Sequence, residues 1–407
     1  MMQGPCRRIV MKPRKTTPPR APRPVTQPLS PPAPQTVALA ADPAAMEIFL
    51  VATPGLEEPL ADEARALGLD AHVQPGGVSF TGGWADVRRA NLEIRGATRV
   101  LARIGSFRAM HPAQLDKRAR RFPWGDWLRA DIPVRVEASS RKSRIYHAGA
   151  ISQRIEAAIR DSLGAPVADD APVTLKVRIE DDLCTISVDT SGESLHKRGH
   201  KQAVGKAPMR ETMAAMFLRQ CGFDGHEPVL DPMCGSGTFV IEAAEIAAGL
   251  HPGRMRGFAF EHLPGFDPEA WADQRKHVAT PPAITFHGSD RDAGAIRMSH
   301  ENAARAGVGG WSDFQNRAIG DLIRPEGPPG LVIVNPPYGA RIGNKGPLFG
   351  LHAALGAVLR ERFGGWRVGL VTSDGQLARA TGLPFREPGP YVAHGGLKIR
   401  LYRTGPL

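Results

Sequence analysis

Two short stretches carry residue types that could do chemistry together. An apolar strand, Leu331-Val332-Ile333-Val334, runs into Asn335-Pro336-Pro337-Tyr338. Far upstream, Val229-Leu230 runs into Asp231-Pro232-Met233-Cys234-Gly235-Ser236-Gly237-Thr238. An exocyclic base amine is a poor nucleophile because its lone pair is delocalised into the ring. The Asn335 side-chain oxygen and the Pro336 backbone carbonyl can hold its two hydrogens, which favours a pyramidal nitrogen. Pro337 stiffens the turn, and Tyr338 offers a face on which a base can stack. A methyl sulfonium is already activated, so alignment is the main task. The chemistry to expect is methyl transfer from S-adenosylmethionine to a base amino group, with no metal. A base inside a duplex cannot reach such a strand tip and must be flipped out or already unpaired.

The upstream stretch reads as the cofactor turn. Asp231-Pro232 ends a strand, Gly235-Ser236-Gly237 turns, and Phe239 to Ala248 is a helix. Glycines at 235 and 237 let the backbone approach a ligand, and ligands of open α/β sheets sit at the carboxyl ends of the strands. The turn departs from the dinucleotide fingerprint G-x-G-x-x-G. A second strand, Ile284 to Asp290, ends in an acid able to accept hydrogen bonds from both hydroxyls of a ribose. Asp292 competes for that role or caps the helix Ala293 to Ala306. Asp321 precedes the strand bearing Asn335 and could reach an adenine amino group. Cys234 is expected to be a small buried side chain without catalytic work. His196 and His200 are expected to be solvated, and His196→Ala to alter RNA affinity more than chemistry.

These residues need elements to place them. Residues 1–45 contain eleven prolines and no helical period, so they cannot bury enough apolar surface to order themselves. This segment is expected to be a disordered tail with no secretory signal, and Met46 is a candidate initiator. Residues 46–105 read as β-α-β-α-β, a ferredoxin-like unit. Residues 106–194 form a second α/β unit: a strand over Val134–Ala138, a basic segment Arg141–His147, a helix over Gly149–Leu163 with Ile151, Ile155 and Ile159 on one face, and two more strands. Residues 195–206 read as a basic linker and hinge. From 207 to 407 strands and helices alternate, as in a mostly parallel sheet covered on both faces.

Composition narrows the field. The net charge of +11 includes +6 in residues 1–45. Local clusters therefore matter more than the total: Arg103–Arg144 holds eleven Lys/Arg against four acids, enough for a phosphate-contacting surface. Lys197, Arg198, Lys201, Lys206 and Arg210 form another cluster. Either cluster is equally readable as a solvated face. Four scattered cysteines lack metal-site or disulfide spacing, in keeping with free thiols in a reducing cytoplasm. No apolar run is long enough to cross a membrane.

Several stretches resemble one family. They are Met46–Leu50 through Thr53-Pro54-Gly55-Leu56-Glu57; Ser143–His147 with Gly149-Ala150; Ser191–His200; Asp231–Thr238; Gly288-Ser289-Asp290; and Asn335–Gly339. Over about residues 46–407 the chain is similar to the THUMP-containing class I RNA methyltransferases, in the guanine-N2 branch near the N-terminal half of the bifunctional large-subunit rRNA enzyme. The resemblance implies ferredoxin-like and THUMP α/β domains followed by a Rossmann-like class I methyltransferase domain. It implies S-adenosylmethionine held by Asp231, Pro232, Gly235, Gly237, Thr238, Asp290 and Asp321, and a base held by Asn335, Pro336, Pro337 and Tyr338. Arg141, Lys142, Arg144, Lys197 and Arg198 are the candidates for gripping structured RNA, rRNA first and tRNA second. The chain ends without the second methyltransferase domain of the bifunctional enzyme. Competing readings are a DNA adenine amino methyltransferase and a non-catalytic RNA-binding protein.

Overall fold

The computed structural model describes Met1 and residues 45–202, 209–338 and 346–407. The expected tail, part of the linker and Gly339 lie outside the described residues.

The first unit is β1 (Met46–Val51), α1 (Glu57–Ala66), β2 (His72–Gln74), β3 (Gly77–Gly82), α2 (Trp84–Glu93) and β4 (Arg99–Arg108). The sequence predicts three strands and the structure has four. The missed strand, β2, is three residues with no buried side chain, so it leaves no apolar alternation to read. It completes the β-α-β-β-α-β ferredoxin-like order. Next come α3 (Pro112–Ala119), β5 (Val134–Arg141), α4 (Ala148–Leu163), β6 (Val173–Glu180) and β7 (Leu183–Asp189). Helix α4 buries Ile151, Ile155, Ala158 and Ile159, the face that the four-residue spacing predicts. It stops at Gly164, whose φ of +83° suits glycine.

The first two units share one sheet of order β2-β3-β1-β4-β7-β6-β5, antiparallel except for β5 with β6. Strand β4 bonds β1 through its first half and β7 along nearly all its length, with a register shift between Arg103 and Gly105. The boundary expected at 105/106 falls inside this strand.

The third unit is α5 (Glu211–Gln220), β8 (Val229–Asp231), α6 (Thr238–Ala247), α7 (Pro268–Arg275), β9 (Phe286–Asp290), α8 (Ala293–Ala306), β10 (Ser312–Asn316), β11 (Leu331–Val334), α9 (Gly346–Arg362), β12 (Arg367–Thr372), α10 (Gly375–Ala380), β13 (Val392–His394) and β14 (Leu397–Arg403). Its sheet runs β10-β9-β8-β11-β12-β14-β13. The first five strands are parallel, and β14 and β13 are antiparallel additions. Strands β8 and β11 are buried at every position, as expected for parallel strands covered on both faces. This is the Rossmann-like arrangement. Among the described residues, no helix is long and apolar enough to cross a membrane.

Residues 195–202 are not a solvated hinge. Leu195, Arg198 and His200 are buried, each no more than 2% exposed. Arg198 donates to the carbonyls of Leu195 (3.0 Å) and Arg95 (2.9 Å) and lies 3.4 Å from Glu242. Arg256 clamps the same segment, donating to the carbonyls of Ser191, Glu193, Ser194 and Lys197.

Candidate active site

Strands β9, β8 and β11 are neighbours, so their carboxyl ends bring Asp290, Asp231 and Asn335 to one edge. The register sets Val332 against Leu230 and Asp231 against Gly288. Asn335 and Asp290 therefore both stand two residues beyond the Asp231 rung, about 7 Å higher, on either side of it. The sequence predicts this convergence.

Asp231 is 3% exposed, and its Oδ1 accepts from Met233 N at 3.0 Å. Burial pushes its pKa up to about 8, helped by the nearby Asp290 and opposed by the Met233 hydrogen bond. Gly235 has φ +55° and open space where a Cβ would stand. Its N–H donates to Asp290 Oδ2 (3.1 Å), and its carbonyl accepts from Ser299 Oγ (2.9 Å). Gly237 has φ +82°, and a Cβ there would press on Ser299 and the Phe314 ring. Thr238 opens α6, and its hydroxyl accepts from Lys201 Nζ at 2.8 Å. The turn is thus held open between two strand ends, with backbone and carboxylate groups at its rim.

Asp290 Oδ1 accepts from Asp292 N (3.0 Å), so each of its oxygens already takes one backbone N–H and keeps further lone-pair capacity. Asp292 Oδ1 caps α8 through Gly294 N (2.8 Å). Asp321 ends a short 3-10 helix between β10 and β11 and is exposed. Arg362 pins that loop by donating to the carbonyls of Gly320 and Leu322, both at 2.9 Å. Cys234 is buried, with a thiol pKa pushed well up by burial, as befits an inert residue.

At the tip of β11, Pro336 is buried, Pro337 exposed and Tyr338 half-buried. Burial raises the Tyr338 phenol to about 12, so it stays neutral near pH 7. Asn335 Oδ1 is buried and has no hydrogen-bond partner among the described residues. A buried amide oxygen left unpaired is costly, and an arriving N–H would relieve it.

The expected RNA contacts divide. Arg141, Lys142, Arg144 and Lys197 are exposed. Arg141 lies 3.6 Å from Glu180, Arg144 is 3.9 Å from Asp182, and Lys197 pairs with Glu193 at 2.7 Å. Beside the first three, Tyr146 is 82% exposed. Arg198 is no surface contact, because it is buried against Glu242. His200 is not solvated either: it is 2% exposed and lies 3.8 Å from Glu245. Half-buried His196 bonds Ser194 Oγ at 2.9 Å, and burial followed by the Arg210 charge drives its pKa down to about 4.

Sequence reasoning missed a buried ionic cluster behind the cofactor turn. On α6, Glu242 meets Arg95 at 2.7 Å, and Glu245 meets Arg254 at 2.6 Å and Arg95 at 3.5 Å. Lys201 meets Glu211 at 3.1 Å. Burial works to raise the Glu245 pKa, but Arg254, His200 and Arg95 outweigh it and hold it low. Arg95 sits about 150 residues from Glu242 and Glu245, and the Glu245–Arg254 and Lys201–Glu211 pairs join different elements, so no helical spacing signals the cluster. Among the described residues no group of His, Cys, Asp and Glu is placed to hold a metal ion.

Residues 47–101, 112–189 and 198–385 match, in order, families described as the RlmL ferredoxin-like domain, the THUMP domain and the RMKL-like methyltransferase domain. RNA methyltransferase slr0064 of Synechocystis, so named by assignment, is 30% identical over 87% of this chain and 95% of its own length. The large-subunit rRNA methyltransferase K/L of Syntrophotalea carbinolica is 36% identical over 84% of this chain. The chain belongs to the THUMP-containing RNA methyltransferases of this K/L type. It spans about half the length of the K/L relatives, 51% in each of two cases.

Two solved structures agree with that membership in fold. A Listeria monocytogenes protein, assigned as an N6-adenine-specific DNA methylase, superposes with a TM-score of 0.79 at 31% identity, covering 89% of this chain and 97% of its own. SMU.472, assigned as a methyltransferase and bound to S-adenosylhomocysteine, superposes at 0.80 with 27% identity, covering 89% and 99%. The open Gly235 turn and the acids at its rim in this chain fit a cofactor of that kind, S-adenosylmethionine.

Proposed function

We propose that the chain methylates the exocyclic N2 of a guanine in large-subunit ribosomal RNA. The observation that carries this reading is the orphaned Asn335 Oδ1 on the strand tip beside the cofactor turn. In this reading Asp231, Pro232, Gly235, Gly237, Thr238, Asp290 and Asp321 hold the cofactor, with Asp290 on the ribose and Asp321 at the adenine amine. When bound, the cofactor supplies an electrophilic methyl group. Asn335 Oδ1 and the Pro336 carbonyl accept the two amine hydrogens and fix the nitrogen lone pair along the attack line. Buried Pro336 and half-buried Tyr338 exclude water, and the Tyr338 ring carries the base. The surplus proton leaves after transfer, so no strong base is needed. Lys201 steadies the start of α6 through Thr238, which holds the turn in place.

Ribosomal RNA is favoured by the K/L names of relatives at 36% and 33% identity. The tRNA alternative keeps every residue role and changes only what the THUMP domain grips. Adenine in DNA fits the strand tip but leaves the THUMP domain without a task. The test compares nucleosides from 23S rRNA and tRNA of cells with and without the gene. The reading expects N2-methylguanosine to vanish from 23S rRNA alone. Its loss from tRNA, or the loss of a methyladenine from DNA, would overturn it.

A further inference from the structure

The β13–β14 hairpin ends in bare residues at the edge that holds the chemistry. Strand β14 pairs antiparallel with β12, Arg400 against Thr372 and Leu401 against Val371. Val334 lies against Leu370 on the other side of β12, so Asn335 stands at the level of Leu401. The hairpin continues from there past the end of β12. Leu397 is four residues beyond that level, about 13 Å above Asn335 along the strands and about 10 Å to the side. Among the described residues, no strand of the sheet but its hairpin partner β13 reaches that height.

The hairpin is built to hold a tip in the open. Val392 and Ile399, at its root, are buried. Gly395 (φ +55°) and Gly396 (φ +83°) form the two-residue turn, both with positive φ, as the tightest hairpin turns demand. A Cβ at either would meet nothing. Leu397 is 40% exposed, and Ala393 and Lys398 are exposed beside it. Across from Leu397, His394 Nδ1 is buried and has no hydrogen-bond partner among the described residues.

The root is braced against the RNA-gripping half. Arg400 stacks 4.7 Å over the Tyr391 ring and donates to the carbonyls of Pro388 (3.0 Å) and Gly389 (2.8 Å). Gly55, in the turn between β1 and α1, has φ +94°, and a Cβ there would lie 2.2 Å from the Tyr391 carbonyl oxygen. That close approach gives the Thr53-Pro54-Gly55 stretch a purpose: it seats the hairpin root on the ferredoxin-like unit.

We propose that this hairpin keeps the RNA open around the target nucleotide, with Leu397 filling the gap left in the base stack and Lys398 pairing with a flanking phosphate. The inference rests on the RNA reading above. An amine can reach Asn335 only when its base has left the stack, and proteins that open a stack do so with an apolar wedge beside basic residues. The occupant of this surface is the RNA strand flanking the target.

The test is single-turnover methyl transfer to deproteinised large-subunit rRNA from cells lacking the gene, run with wild type, Asn335→Ala, Leu397→Ala, Leu397→Met and Lys398→Ala in the full chain. Leu397→Ala is expected to slow transfer at saturating RNA by roughly tenfold or more, the scale of a lost unstacking aid, with RNA and cofactor affinities and the melting temperature unchanged. Leu397→Met is expected to restore most of the rate. Lys398→Ala should weaken RNA binding and lower the salt slope by about one. With wild type active and Asn335→Ala inactive, a Leu397→Ala rate equal to wild type overturns the hairpin's role alone. A slowed Leu397→Ala that Leu397→Met does not rescue also overturns it. A wild type that methylates no RNA removes the parent reading and this one together.

Discussion

In the proposed reaction the chemistry turns on a single atom, the side-chain oxygen of Asn335. Asn335→Ala should lower the rate of methyl transfer by roughly 10²–10³-fold, the usual consequence of losing one preorganised polar contact in a transition state. RNA and cofactor binding should persist, as gel shift and calorimetry would show. An active Asn335→Ala protein would refute the strand-tip mechanism. Asp231 makes a different prediction. Its pKa rises from an ordinary 3.8 to about 8, so between those values the folded protein holds a proton that the unfolded chain has lost. Stability without cofactor should therefore fall as pH rises from about 4 to about 8, then level off. Asp231→Asn should flatten that slope in urea titrations at pH 5 and 8.5. A cationic cofactor favours the ionised carboxylate, so binding near pH 7 should release a proton, measurable by calorimetry in buffers of different ionisation heat.

These residues were legible in the sequence because each sits at the end of its own strand, in consecutive letters. Arg198 and His200 were misread because their acidic partners, Glu242 and Glu245, are contributed by a helix far along the chain. A cluster of bases with no acid nearby in sequence looks solvated whether or not it is.

Among the elements, helices with a clear apolar face and fully apolar strands could be read from periodicity, and α4 and β11 appear where it places them. Strand β2 escaped because it is short and polar and owes its existence to β3. The segment 191–202 escaped because a distant side chain, Arg256, gives it shape. Burial lowers the Arg256 pKa to about 10, with Glu193 opposing and Arg198 and Arg99 assisting, so it remains charged at neutral pH. Arg256→Ala should cost about 1.5–3 kcal/mol, the range for hydrogen bonds to a charged donor. Limited proteolysis should then cut within 191–202 sooner than in wild type. An unchanged cleavage pattern would mean the clamp is dispensable.

At the scale of the molecule, Arg95 ties the ferredoxin-like unit to α6, the helix that begins at the cofactor turn. Its side chain is 12% exposed, and its partners Glu242 and Glu245 are 1% and 0% exposed. Removing one partner of such a cluster leaves buried charge uncompensated, so Arg95→Ala should destabilise the fold by about 3–5 kcal/mol. Adding Glu242→Gln should recover part of that loss in a double-mutant cycle followed by chemical denaturation. Simple additivity would show that the pair is not coupled.

Strand β4 belongs to two domains at once, with β1 on one side and β7 on the other. Ladders of hydrogen bonds on both sides do not flex like a tether, so the shared sheet from β1 to β7 acts as a stiff beam beside the methyltransferase domain. If the proposed function holds, such a beam would set a fixed span between where the nucleic acid is grasped and where one of its bases is modified. Selection of a site would then depend on how far it lies from a docking feature in the folded substrate, with the local letters secondary.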